Sequence, residues 1–345
     1  MEHRERLISR SILDAVFRED EAKQSILGWA FDFFSIFRLH LFRYEPEVFK
    51  ELRTDVWNAD EKEYRGSFHI ADSKGCLVPV GDLGYSGSTF FTTPDAKYLI
   101  KSLPRHFEYT FFKTKLLEPY KKHMHSQPSS LLVRITDLLH TPSVSLGRIF
   151  GTAPSHHIVM ENILYGKEAS SQADQWETYD LKPIDYFYPE RDIAGGALVP
   201  QSVKDRLVDK FDDKIRVTSS QKAELLRIVD ADTKLLEGTN AVDYSLFVVR
   251  CPVPNDTIPT LKSRTSPWRS GLRSSDGKWV YRAVLLDFFW AKDALHAKAM
   301  TGLIKGYNVF DQKGPMSITT TPSEYRKRFM DMVSGIVEVD HRRDA

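Results

Sequence analysis

Apolar positions recur at helical spacing through residues 3–42, and Tyr44 to Tyr64 continues as a second short helix and its exit. From Ser67 to Val80 the pattern turns to short strands. A glycine-rich stretch, Gly81 to Ser88, follows, and then the compact run Lys97-Tyr98-Leu99-Ile100-Lys101 predicts a strand. Residues 106–122 read as a helix that ends near the loop at Pro128. His157 to Met160 reads as a buried strand, and Gly166 to Gln172 as a polar loop. Gln221 to Glu237 places Leu225, Ile228, Val229 and Leu236 near one helix face, with Gly238 as a stop. Strands are expected at 244–250 and 279–286. Between them Pro252 to Gly277 is rich in Pro, Ser and Arg, which predicts a mobile insertion. A last helix starts near Pro322, with Tyr325 and Phe329 four apart. There is no internal repeat. Antiparallel strands with segregated helices make this an α+β chain and not a βαβ series.

Composition narrows the picture only a little. At 345 residues, 41% hydrophobic and 28% charged, the chain is long enough for one large domain or two lobes. A net charge of +1 argues against a nucleic-acid coat, so no nucleic acid is expected as partner. Cys76 and Cys251 lie far apart and in no metal-type spacing, which suits two free thiols in a reducing cytoplasm. The opening residues, Met-Glu-His-Arg-Glu-Arg, lack the apolar run of a signal peptide. The most apolar stretch, Ile26 to Phe42, is interrupted by Asp32, Arg38 and His40. A spanning helix needs about 20 predominantly apolar residues, so membrane work is expected to be peripheral. Local charge says more: residues 252–282 hold six basic residues against two acidic, and 292–328 hold seven against three. Such segments read as a one-sided basic face, each Lys or Arg adding about 1 kcal/mol of attraction to anionic lipid. An ordinary solvated surface explains the same composition equally well.

Candidate chemistry begins at Gly81, Gly84 and Gly87 with Ser86 and Ser88, where backbone N–H groups can approach phosphate oxygens closely. The spacing is neither the P-loop nor the dinucleotide-binding signature, and alone it reads more readily as a hairpin turn. Lys101 changes the balance. A glycine-rich hairpin followed by a strand lysine is how protein kinases hold ATP phosphates. A carboxylate on the next helix normally orients that lysine; Glu108 is the candidate, with Glu118 the weaker one. Asp243 and Asp287 sit beside apolar strands, where one carboxylate can ligate Mg²⁺ and another can orient or deprotonate an acceptor hydroxyl. Strand-end aspartates also start turns. His123, His125, His156 and His157 have no metal-site spacing and read as surface or packing residues.

Taken in order, these residues resemble the phosphatidylinositol phosphate kinases, on the 4-phosphate 5-kinase side and as a divergent member. Gly84-Tyr85-Ser86-Gly87-Ser88-Thr89-Phe90-Phe91 with Tyr98-Leu99-Ile100-Lys101 resembles that family's phosphate-binding hairpin and ATP lysine. Ile158 to Asn162 is similar to its adenine-side hinge strand, and Tyr179-Asp180-Leu181-Lys182 to its Asp-Leu-Lys motif. Val242-Asp243-Tyr244-Ser245-Leu246 resembles the catalytic segment, and Leu285-Leu286-Asp287 the metal-binding strand end. Ser317 to Phe329 looks like the segment closing the activation loop, and Pro46 to Arg53 the helix by which the chain enters the family's fold.

The resemblance implies a two-lobed kinase-like fold with antiparallel sheets and an ATP cleft between the lobes. It implies an N-terminal helical extension over 1–43, an N-lobe over 44–162 and a C-lobe over 163–345, with an activation loop at 288–316. By the same carry-over, Gly84, Ser86, Gly87, Ser88 and Lys101 would hold ATP phosphates, and Met160 and Glu161 would line the adenine pocket. Glu108 would orient Lys101, Lys182 would lie near the transferred phosphate, Asp243 would activate the acceptor and Asp287 would hold Mg²⁺. Lys298, Lys305 and Lys313 would meet the substrate and the membrane. The implied reaction is ATP-dependent phosphorylation of a phosphatidylinositol monophosphate, giving phosphatidylinositol 4,5-bisphosphate on the cytoplasmic face of an anionic membrane, with a homodimer as a further option. A catalytically weak phosphoinositide-binding scaffold and a kinase for a soluble inositol phosphate or protein are the alternatives. The sequence departs from the family where Pro183 and Ile184 replace the usual Gly-Ser after Lys182, in the insert Tyr186 to Asp192, and in the lack of an adjacent Lys-Lys pair in the activation loop.

Overall fold

A computed structural model of the chain describes residues 3–18, 39–69, 77–80, 88–141, 154–183, 211–253, 266–291 and 321–340. The expected positions Gly84, Ser86, Gly87, Lys298, Lys305 and Lys313 lie outside the described residues, as do Cys76, the insert at 186–192 and the aromatic run from Trp29 to Phe37. Among the described residues two compact units are formed, one by residues up to 109 with 134–166, the other by 110–133 and residues from 167 onward. Both mix helices with antiparallel sheet, the class expected from the sequence. No helix among the described residues is long and apolar enough to cross a membrane.

The first unit opens with α1 (His3–Phe17), which buries Ile8, Ile12, Ala15 and Val16 along one face. The Ser9 and Ser11 hydroxyls accept the backbone N–H groups of Leu77 at 2.9 Å and Leu39 at 3.0 Å. Helix α1 is therefore part of this unit's core, packed with Tyr64, Phe68, Phe91, Tyr98 and Ile100. The helical reading of 3–42 gives way at its end, where β1 (Phe42–Arg43) pairs into the sheet. α2 (Pro46–Glu51) begins with proline in its first turn and runs into a π-helical turn, Leu52–Val56. α3 (Glu61–Gly66) is capped by Asp60, whose carboxylate accepts the Glu63 N–H at 2.7 Å. The strands β2 (Val78–Val80), β3 (Phe90–Thr92), β4 (Tyr98–Ser102), β5 (Ile135–His140) and β6 (His156–Glu161) complete a six-stranded sheet in the order β1-β5-β6-β4-β3-β2, with every pairing antiparallel.

A buried charge network fixes α2 and α3 to β5. The Arg53 guanidinium holds Glu61 in a two-pronged pair at 2.8 and 2.9 Å, donates to the Thr136 carbonyl, and lies 3.5 Å from Asp137. Asp137 also accepts the Tyr64 hydroxyl at 2.7 Å and Arg43 Nε at 3.1 Å. Burial works to lower the Arg53 pKa, but Asp137, Tyr64 and Glu61 outweigh it and hold the guanidinium above its usual range. Removing one partner from a pair this deeply buried costs about 3–5 kcal/mol, because the other charge is stranded.

The division between the units falls inside α4 (His106–Phe111), which runs through a π-helical turn, Phe112–Leu116, into α5 (Leu117–Ser126). In the second unit, β7 (Glu177–Leu181) is followed by β8 (Ile215–Val217), α6 (Ser219–Gly238), β9 (Ala241–Val242) and β10 (Ser245–Pro252). Then come α7 (Pro267–Ser270), β11 (Leu272–Arg273), β12 (Trp279–Leu286), β13 (Trp290–Ala291), α8 (Pro322–Ile336) and β14 (Val337–Val339). The main sheet has the order β11-β12-β10-β7, all antiparallel. β9 pairs with β13 antiparallel, whereas β8 and β14 pair in parallel, a departure from the expected antiparallel pattern. The long stretch between those two strands supplies the crossover that a parallel pair requires.

The second half of the stretch 252–277 differs from its expectation. Residues 254–265 lie outside the described residues, but 266–277 form a capped turn of helix and a strand. Trp268 is only 1% exposed, and buried Arg269 donates to the carbonyls of Ser130 at 2.5 Å and Leu132 at 2.8 Å. Pro, Ser and Arg content suggested a solvated loop; here serine caps, proline opens a helix and arginine satisfies buried backbone.

Candidate active site

Strand register assembles the candidate residues of the second unit. β10 pairs Leu246 with Leu181 on one side and Ser245 with Leu286 on the other. Lys182 follows Leu181, Asp243 precedes Ser245 by two, and Asp287 follows Leu286. All three therefore fall at one end of the same sheet. There the β10–β12 ladder gives out and resumes one residue out of step, with Val242 opposite Trp290 and Ala241 opposite Ala291. The chain between the ladders, Asp243-Tyr244 against Asp287-Phe288-Phe289, forms a bulge, and bulges of this kind re-aim side chains beside active sites. Both aspartates adopt left-handed backbone, with φ of 63° at Asp243 and 60° at Asp287. Aspartate tolerates that conformation better than most residues, and an apolar branched residue would not.

The charges at this end are matched. Lys182 Nζ lies 2.9 Å from Asp243 Oδ1. Burial pulls the Lys182 pKa down, but Asp243, Asp180 and Asp287 outweigh it and raise the ammonium above its ordinary value. Lysine is thus held protonated among three carboxylates, a state suited to stabilising anionic oxygen. From sequence Asp180 is only the first residue of the Asp-Leu-Lys motif, with no role of its own. Its signal was available, since residues two apart on a strand share a face and Asp180 stands two before Lys182. Among the described residues no three His, Cys, Asp or Glu form a closed metal cage. Mg²⁺ does not need one, because it keeps waters and uses one or two carboxylates with substrate phosphates; Asp287 fits such a partial donor set.

The bulge is held from behind by α8. Thr321 caps that helix, accepting the Glu324 N–H at 3.1 Å, and Tyr325, Phe329 and Val333 form its buried face. Tyr325 donates its hydroxyl to the carbonyl of Tyr244. The Tyr244 ring stands edge-on to Tyr325 at 4.7 Å and to Phe329 at 4.9 Å. Arg326 ties α8 to α6 through Asp230 and, at 3.6 Å, Glu237.

In the first unit, Lys101 is buried on β4, with Phe90 and Ile158 as its cross-strand neighbours and its ammonium 5.8 Å from the Phe90 ring centre. Ser88 is buried just before β3. The next residue, Thr89, is tied to β4 by its N–H to Ser102 Oγ at 2.7 Å and its carbonyl to Ser102 N–H at 3.0 Å. Glu108 is buried in the first turn of α4, with Arg105 as a partner at 3.3 Å. Met160 and Glu161 end β6, both buried; the Glu161 carboxylate accepts the backbone N–H of Arg134 at 3.1 Å, which fixes β6 to the start of β5. The histidines behave as packing residues: His123 pairs with buried Asp232 at 2.6 Å, and His156 stacks on Tyr109 at 4.0 Å.

The chain is also similar to known proteins. The family model for phosphatidylinositol-4-phosphate 5-kinase matches residues 71–270. A phosphatidylinositol 4-phosphate 5-kinase of Plasmodium falciparum is 29% identical over 216 residues, which cover 59% of this chain and 12% of that protein. A probable phosphatidylinositol phosphate kinase of Dictyostelium discoideum is 26% identical over 217 residues, 59% of this chain and 27% of its own length. A phosphatidylinositol 4-phosphate 5-kinase-like protein 1 of Mus musculus is 27% identical over 201 residues, 58% of this chain and 46% of its own. The matched region thus spans less than half of each of these relatives.

Proposed function

The chain belongs to the phosphatidylinositol-4-phosphate 5-kinase family, and we propose that it is itself an ATP-dependent lipid kinase. On this reading it phosphorylates a phosphatidylinositol monophosphate headgroup at the cytoplasmic face of an anionic membrane, giving phosphatidylinositol 4,5-bisphosphate. The observation that carries the proposal is the meeting of Lys182, Asp243 and Asp287 at one sheet end, with Lys182 Nζ 2.9 Å from Asp243. Asp243 orients the acceptor hydroxyl and receives its proton. Lys182, protonated, stabilises charge on the transferring phosphoryl oxygens. Lys101, Ser88 and the glycines at 84 and 87, with Ser86, hold the ATP phosphates, with Glu108 orienting Lys101. Asp287 would hold Mg²⁺, which when bound neutralises phosphate charge. Lys298, Lys305 and Lys313 serve the lipid and membrane side.

A second reading, a phosphoinositide-binding scaffold with weak catalysis, is favoured by Pro183 directly after Lys182, since proline offers no backbone N–H to phosphate. Turnover of ATP on phosphoinositide vesicles separates the two. Lipid phosphorylation lost in Asp287→Asn supports the kinase; vesicle binding with no labelled lipid supports the scaffold.

A further inference from the structure

We propose that Tyr325 is a positioning residue for Asp243, acting through the backbone of Tyr244; this rests on the reading of Asp243 as the acceptor-orienting group. Buried backbone carbonyls need a partner, and in a sheet the neighbouring strand supplies it. At the bulge that supply fails, because the ladder stops at Ser245–Leu286 and resumes at Val242–Trp290. The Tyr244 carbonyl, one peptide from the Asp243 α-carbon, is taken by the Tyr325 hydroxyl. Asp243 itself sits in left-handed backbone that the surroundings must hold in place. Helix α8 is a firm base for this. Arg326 anchors it to Asp230 and Glu237 of α6, and Lys222 of α6 donates to the Ser334 and Val337 carbonyls at 3.1 and 2.7 Å. The Tyr244 ring, packed edge-on against Tyr325 and Phe329, keeps the same peptide from rotating. One hydroxyl thus links the start of α8 to the catalytic segment.

Tyr325→Phe in the full chain tests this, since it keeps the ring packing and removes only the donor. Hydrogen exchange by mass spectrometry reads the effect without any need for activity. Protection in residues 241–246 is expected to fall by about tenfold, with β7 and β14 unchanged. In lipid kinase assays kcat is expected to fall about tenfold, with KM for ATP within about twofold of wild type, the split expected of a misplaced acceptor-orienting group. Unchanged exchange at 241–246 overturns the proposal, and so does a wild-type kcat in the variant. Should the wild-type chain phosphorylate no lipid, the functional reading falls, and the exchange result still decides whether Tyr325 holds the segment.

Discussion

Lys182 and Asp243 meet at 2.9 Å in a setting where burial opposes the lysine's charge and three carboxylates restore it. Asp243→Asn removes the nearest anion and the candidate proton acceptor together. Phosphoryl transfer is expected to fall by about 10²–10⁴, measured as initial rate on lipid vesicles; a rate near wild type would contradict the role. His157 supports a different expectation. It is fully buried on β6 with neither ring nitrogen hydrogen-bonded, and burial lowers its pKa to about 3. An unfolded imidazole takes its proton near the ordinary value of 6.5. Between these values the unfolded chain binds more protons, so stability is full above about pH 6.5 and is lost as pH falls toward 3, by about 1.4 kcal/mol per pH unit. Urea titrations at pH 7 and 5 should show a weaker pH dependence for His157→Leu than for wild type. Equal dependence would show that the imidazole is not the source. At this scale motifs name Lys101, Lys182, Asp243 and Asp287, and the structure places the last three at one sheet end and Lys101 on β4 of the first unit. The sequence gives Asp180 no role beyond membership of the Asp-Leu-Lys motif and reads His157 only as a surface or packing residue, because the electrostatic setting of each depends on which strand face is buried.

Among the elements, the long ones were legible because burial imposes a period. The stripe of Leu225, Ile228, Val229 and Leu236 became one face of α6, and Tyr325 with Phe329 one face of α8. Strands β4, β6, β10 and β12 fell within a few residues of their expected bounds. The two-residue strands β9 and β13 have no period to read, yet the offset between their pairing and the β10–β12 ladder is the break in which Asp243 and Asp287 lie. Composition misled at 266–277, where Arg269 serves buried carbonyls of the 130–133 segment. That segment is otherwise satisfied by Asp232, which accepts the Leu131 N–H at 2.7 Å, and by Tyr120, which donates to the Val133 carbonyl at 2.8 Å. Arg269→Met is therefore expected to destabilise the second unit by about 2–4 kcal/mol by leaving carbonyls unpaired. A shift in the urea midpoint checks it, and an unchanged midpoint would restore the loop reading.

For the whole molecule, net charge and local charge counts set an expectation of a basic, lipid-facing surface. Counting cannot tell which charges are spent internally. Arg269 and Arg282 are buried, Arg326 is paired with Asp230 and Glu237, and Arg328 with Glu324. Arg273 and Lys278 stay exposed on β11 and the turn before β12. Replacing both with glutamate is expected to weaken binding to anionic vesicles by at least about tenfold at 50 mM salt, given about 1 kcal/mol per basic residue. The difference should shrink at 200 mM as screening grows; sedimentation with vesicles at both salt levels measures it, and a salt-independent loss would point to something other than charge. The central claim is lipid phosphorylation, and product identification tests it most directly. Vesicles carrying each phosphatidylinositol monophosphate in turn are incubated with labelled ATP, Mg²⁺ and the full chain, with Asp287→Asn in parallel. The expected result is labelled phosphatidylinositol 4,5-bisphosphate from the 4-phosphate, absent with the variant. No labelled lipid from any of the three, or equal label with Asp287→Asn, would contradict the account.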